Sequence, residues 1–138
     1  MKQSLDILLI DDDTDDIETF REALDVFGLV YTLAAYRDWE SASTVLDDTI
    51  DLPDVIVLDL NMPRTHGFEA LAFIKANVRL RFIPVIVLSV SRRVEDHEKS
   101  TLLGAAGFFS KPQRAEGWHP IVKALIAAVR ANEPDKVT

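Results

Sequence analysis

Asp11, Asp12 and Asp13 follow directly on the apolar run ILLI, and Asp59 follows directly on the run VIVL. Runs of this kind read as buried strands, so both acidic positions fall at the carboxyl ends of strands, the edge that forms the ligand crevice of an open α/β sheet. Ser89 follows a second VIVL run, and Lys111 stands in SKP just after the last apolar stretch. Bringing such carboxylates together is costly, because two like charges about 4 Å apart repel by roughly 1 kcal/mol in bulk water and about 4 kcal/mol at an effective dielectric of 20. The site therefore calls for positive charge. Mg²⁺ suits an all-oxygen site, taking one or two carboxylates, keeping several waters and leaving positions for phosphate oxygens. Lys111 would add a second positive charge and Ser89 a hydroxyl donor. The set Asp11, Asp12, Asp59, Ser89 and Lys111 suits phosphoryl transfer: a carboxylate nucleophile forms an aspartyl-phosphate, while metal and lysine neutralise charge on the equatorial oxygens. Asp59, alone on the middle strand, is the natural nucleophile, and the pair Asp11 and Asp12 is better placed to share the metal.

The elements that must position these groups follow from five short apolar runs: Ile7 to Ile10, Val30 to Ala34, Val55 to Leu58, Val85 to Leu88 and Gly107 to Phe109. The runs ILLI, VIVL and VIVL are continuous rather than alternating, as expected when helices cover both faces of a parallel sheet. Between them lie segments of helical period. Ile17, Phe20, Leu24 and Phe27 predict a first helix, capped by Asp13 or Thr14 and stopped at Gly28. Trp39, Ala42 and Leu46 predict a second beginning near Asp38, and Phe68, Leu71 and Ile74 a third after Gly67. A fourth, from Glu95 to Leu103, is polar and weakly amphipathic; a fifth carries Ile121, Leu125 and Val129 behind Pro120 at its first position. Five alternations of strand and helix predict an α/β domain: a three-layer, doubly wound, five-stranded parallel sheet with right-handed crossovers and five helices.

Length and composition narrow the function. With 138 residues and 48% hydrophobic residues the chain predicts one domain, over 1–132, followed by a polar tail at 133–138 and no effector domain. Fifteen Lys and Arg against 23 Asp and Glu give a net charge of -8, which repels a phosphate backbone and argues against a nucleic-acid partner. The absence of cysteine excludes disulfides, thiolate metal sites and thiol nucleophiles. The four-residue apolar stretch near the start is too short for a signal peptide, and no run approaches the roughly 18–20 residues that span a bilayer. The expectation is a cytoplasmic protein without a membrane partner.

Four segments taken together, LLIDDD, VLDLNMP with Asp59, Asn61 and Pro63, VLSVS with Ser89, and GAAGFFSKP with Lys111, resemble the receiver domains of bacterial two-component response regulators. The order and the intervals of 48, 30 and 22 residues from Asp11 to Asp59, Ser89 and Lys111 fit, and the resemblance runs from Leu5 to about Val129. It implies a flavodoxin-like strand order 2-1-3-4-5. It also implies Asp59 as phosphoacceptor, with Mg²⁺ held by Asp11, Asp12, Asp59 and the backbone carbonyl of Asn61. Ser89 would bond the phosphoryl group, Lys111 would pair with it, and Phe108 would be the switch aromatic that turns inward when Ser89 moves. A cis Lys111–Pro112 bond, frequent in such domains, would aim the lysine into the crevice. The LNMP and VLSVSRR stretches are most similar to small stand-alone regulators encoded beside phytochrome-type sensor kinases. The resemblance thus implies a sensor histidine kinase as phosphodonor, a downstream protein as target, and no enzymatic activity beyond the chain's own phosphorylation and dephosphorylation.

Departures from the pattern are His66 before Gly67, Val90 after Ser89, where it would narrow access, and a Phe108 without a hydroxyl. Two other readings stand beside this one. A phosphorylation-independent adaptor would keep the fold without the switch, and a small Mg²⁺-dependent phosphohydrolase would need an acid two residues after the nucleophile, where Asn61 stands. Asp13, Asp15 and Asp16 read as helix caps and first-turn acids, the scattered His66, His97 and His119 as solvated side chains, and Arg92 with Arg93 as a solvated helix start. Trp39 and Trp118 read as packing residues, and exposed apolar positions near Trp118 leave a homodimer open.

Overall fold

The computed structural model describes residues 4–62 and 67–133. Five parallel strands, β1 (Leu5–Ile10), β2 (Tyr31–Tyr36), β3 (Val55–Asp59), β4 (Val85–Ser89) and β5 (Gly107–Ser110), form one sheet in the order β2-β1-β3-β4-β5. Helices α1 (Thr14–Val26), α2 (Trp39–Asp48), α3 (Gly67–Ala76), α4 (Val94–Leu102) and α5 (His119–Asn132) connect and follow them. This is the doubly wound α/β fold that the alternation predicts.

The continuous runs conceal a period of two. Ile7, Leu9, Val55, Val57, Ile86 and Leu88 pack with α1, α5 and Trp118 on one face. Leu8, Ile10, Ile56, Leu58, Val85 and Val87 pack with α2 and α3 on the other. Both faces are covered, so every position is apolar and the alternation is invisible in the sequence.

Caps fix where α1 and α2 begin. The carboxylate of Asp13 accepts from the Asp15 N–H and that of Asp38 from the Ser41 N–H. Gly28 follows α1 with φ of 69°, the left-handed stop expected for it. Strand β2 starts one residue later than the run Val30 to Ala34 and ends two later, leaving Val30 exposed; its burial alternates, as for an edge strand. Strands β3, β4 and β5 each outrun their apolar stretch by one residue, taking in Asp59, Ser89 and Ser110, because ladder hydrogen bonds are indifferent to side-chain polarity. A 3-10 turn over Ala115–Trp118, unforeseen in the sequence, leads into α5, and Pro120 lies in its first turn. Helix α4 has a single buried residue, Ser100, whose hydroxyl has no hydrogen-bond partner, in keeping with its polar sequence.

Gly67 opens α3 hard against the residue that follows Asp59: a Cβ there would lie 2.6 Å from Leu60 Cα and 2.7 Å from its Cδ2. Gly67→Ala is expected to cost roughly 1–3 kcal/mol, the range for overpacking, as a lower unfolding midpoint by circular dichroism. The Pro63 and His66 positions and the tail at 134–138 lie outside the described residues.

Candidate functional site

Register brings the acids together. Ile10 lies opposite Leu58, so Asp11 and Asp59 leave the sheet side by side. Backbone bonds carry the ladder past the apolar runs: Asp11 N–H donates to Tyr36 O at 2.9 Å, Leu60 N–H to Leu88 O at 2.9 Å and Lys111 N–H to Ser89 O at 2.8 Å. One carboxylate oxygen each from Asp11, Asp12 and Asp59 lies within 4.8 Å of the others. The Lys111 ammonium crosses to them from the end of β5, 2.9 Å from Asp59 Oδ2 and 3.3 Å from Asp11. It does so without the expected cis bond: no peptide is cis among the described residues, so Lys111–Pro112 is trans, and the β5 ladder itself aims the lysine.

One expected bystander joins the site. Asp16 approaches the Lys111 ammonium most closely, at 2.7 Å, whereas its sequence position in the first turn of a helix was fully accounted for by the helix dipole. The overlooked signal is its place one turn beyond Asp12 at the crevice end of α1. Asp13 and Asp15 keep the capping role expected of them.

The charge balance is uneven. Asp11, Asp59 and Ser89 are buried, and the Lys111 ammonium faces three carboxylates, those of Asp11, Asp16 and Asp59. Burial, reinforced by the neighbouring charges of Asp59 and Asp16, pushes Asp11 up to about 7 against the opposing Asp13 N–H and Lys111. Burial alone would lower Lys111, but the carboxylates of Asp16, Asp59 and Asp11 overcome it and hold the ammonium above the ordinary lysine range. Asp11 Oδ2 is sealed from solvent and accepts no hydrogen bond, its one close cation being the Lys111 ammonium at 3.3 Å. A buried carboxylate oxygen that accepts no hydrogen bond, among three converging acids, fits a hard divalent cation.

Asn61 does more than its sequence role suggests. Its N–H donates to Asp59 Oδ1 at 2.9 Å, and its side-chain oxygen accepts from the Ser89 hydroxyl at 3.1 Å and the Val90 N–H at 2.7 Å. Val90 itself is 66% exposed, at the rim rather than across the crevice. Phe108 is half-buried beneath His97, whose ring stacks on it at 5.1 Å and 8°. With Arg92, Arg93, Val94 and Ser110 these two line a shallow groove. Of the histidines read as solvated, His97 is exposed, with its ring also stacked on Phe108, whereas His119 is half-buried and meets Phe27 edge-on at 5.5 Å; His66 is not among the described residues. Arg93 does open α4, exposed and paired with Glu95 at 3.2 Å. Trp118 is 1% exposed against Phe20, so the indole is part of the core, the packing role expected of it.

The model of the response regulator receiver domain matches residues 7–123, and the chain belongs to this family. Response regulator Rcp1 of Synechocystis sp. is 31% identical over 124 residues, covering 86% of this chain and 84% of that protein. The crystal structure of the phosphorylated cyanobacterial phytochrome response regulator RcpA superposes with a TM-score of 0.82 at 30% identity, over 95% of this chain and 97% of that one. A Mn²⁺-bound form of Rcp1 gives 0.78 at 30% identity, over 89% and 92%. No helix among the described residues is long and apolar enough to cross a membrane.

Proposed function

We propose that Asp59 accepts a phosphoryl group from the phosphohistidine of a sensor kinase, and that the chain signals by changing its contacts with a downstream protein. The observation that carries this reading is the convergence of Lys111 on Asp59, 52 residues away in sequence, at 2.9 Å beside Asp11 and Asp12. Asp59 attacks phosphorus, the phosphorus–nitrogen bond breaks, and the imidazole leaves as the neutral base after taking up a proton. Asp11 and Asp12, with Asp59 and the Asn61 carbonyl, would hold Mg²⁺. Bound there, the metal supplies neutralisation of the phosphoryl oxygens. Lys111 orients Asp59 and meets the charge of the transferred group, and Ser89 supplies a hydroxyl from the end of β4.

Likeness over nearly the full length to Rcp1 and RcpA supports a kinase of the phytochrome type as the donor and a protein contact as the output. The phosphohydrolase reading finds no acid two residues after Asp59, since Asn61 cannot protonate a leaving group. The adaptor reading leaves the buried acids and their lysine without a task. The test is a phosphate-affinity gel after incubation with acetyl phosphate and Mg²⁺. A shifted band is expected for the wild type and none for Asp59→Asn or for wild type in EDTA; a shift surviving Asp59→Asn would sink the assignment.

A further inference from the structure

We propose that the Asn61 side chain is a latch that holds Ser89 in its resting position and sets how readily the phosphorylated conformation is reached. The inference rests on Asp59 as phosphoacceptor and deepens that reading. The orientation of the amide is fixed by chemistry: a backbone N–H only donates, so the atom facing the Val90 N–H at 2.7 Å is the carbonyl oxygen. A serine hydroxyl has one proton, and that of Ser89 is directed to the same oxygen at 3.1 Å while its own oxygen accepts from the Ser91 N–H at 3.0 Å. Ser89 therefore cannot donate to a phosphoryl oxygen on Asp59 until it leaves Asn61. The latch is joined to the trigger, because the Asn61 N–H holds Asp59 Oδ1 at 2.9 Å. A phosphorylated Asp59 and a released Ser89 thus meet in one residue.

Little core packing stands on the other side of Val90. The loop that Val90 begins leads into α4, whose single buried residue is Ser100 with its unpartnered hydroxyl, so the segment from Val90 to Arg93 can shift without opening a large core. Asn61 is thus a positioning residue: its side chain acts through Ser89 and Val90, while its backbone carbonyl would be left to hold the metal.

The test is a titration of the full-length, ¹⁵N-labelled protein with beryllofluoride at saturating Mg²⁺, read at the Val90 and Ser91 amide resonances. In Asn61→Ala these resonances are expected to begin displaced toward their wild-type beryllofluoride positions. The titration midpoint should fall about tenfold, the scale of two net hydrogen bonds no longer broken. Asn61→Ser, which also withdraws the carbonyl, should move both readouts the same way if the alanine variant is too unstable to titrate. A midpoint equal to or above that of wild type in the variants overturns the latch. A wild type that does not respond to beryllofluoride at all sinks the Asp59 assignment instead, so the two failures are distinguishable.

Discussion

Replacing Lys111 with methionine is expected to lower the thermal midpoint of the metal-free protein by on the order of 10 °C at pH 8, a loss of roughly 3–5 kcal/mol for stripping the partner from buried charges. The ammonium touches Asp11, Asp16 and Asp59, two of them buried, and methionine preserves most of the stem's volume while deleting the charge. The sign follows from its raised folded-state value: the stabilisation is fully present below the ordinary lysine pKa and is lost only as pH rises through the folded one. Acid should close the gap between variant and wild type from the other side, because protonated carboxylates no longer need the cation. Millimolar Mg²⁺ should restore part of the variant's midpoint by taking over the neutralisation. Calorimetry at pH 8 and pH 4, with and without the metal, checks all three; equal midpoints at pH 8 would mean that the cluster is held by other means.

Asp11→Asn should act in the opposite direction. With its carboxyl pushed up to about 7 from an ordinary 3.8, the folded metal-free chain binds more protons than the unfolded one between those values. Its stability therefore falls as pH climbs from about 4 through 7 and levels off above. The amide removes that charge, so the variant is expected to be more stable than the metal-free wild type by roughly 3 kcal/mol at pH 8 and little different at pH 4. The gain has a functional counterpart. Mg²⁺ at a hundred times its dissociation constant should stabilise the wild type by about 2.7 kcal/mol, and the variant should lose most of this response. Denaturant titrations across pH with and without Mg²⁺ check both halves; a variant that still responds fully to the metal would remove Asp11 from the ligand set.

The sheet was legible because covered parallel strands need unbroken apolar runs, and ILLI, VIVL and VIVL supply them. Edge strand β2 was blurred, since one side of it meets solvent and its pattern alternates. Asp11, Asp12, Asp59 and Lys111 could be grouped from their places at strand ends, which the ladder turns into proximity. Asp16 was hidden because a first-turn acid already has a sufficient local explanation. The side-chain work of Asn61 and the stacking of His97 on Phe108 depend on rotamers in loops and on α4, for which no periodicity exists. The approach to α5 was similarly opaque: Gly117 lies tightly against Pro112, where a Cβ would come within 2.7 Å of the ring, and that contact is set by tertiary packing.

The two tryptophans divide between the layers on either side of the sheet. Trp118 is sealed beside Phe20, with ring centroids 5.3 Å apart, whereas Trp39 is half-buried against Phe73 at 5.7 Å on the opposite side. Their emission should separate into a blue component shielded from iodide and a redder, quenchable one. A single fluorescence melt resolved by wavelength would then show whether the two halves of the sandwich come apart together or one before the other, with no label added to the molecule.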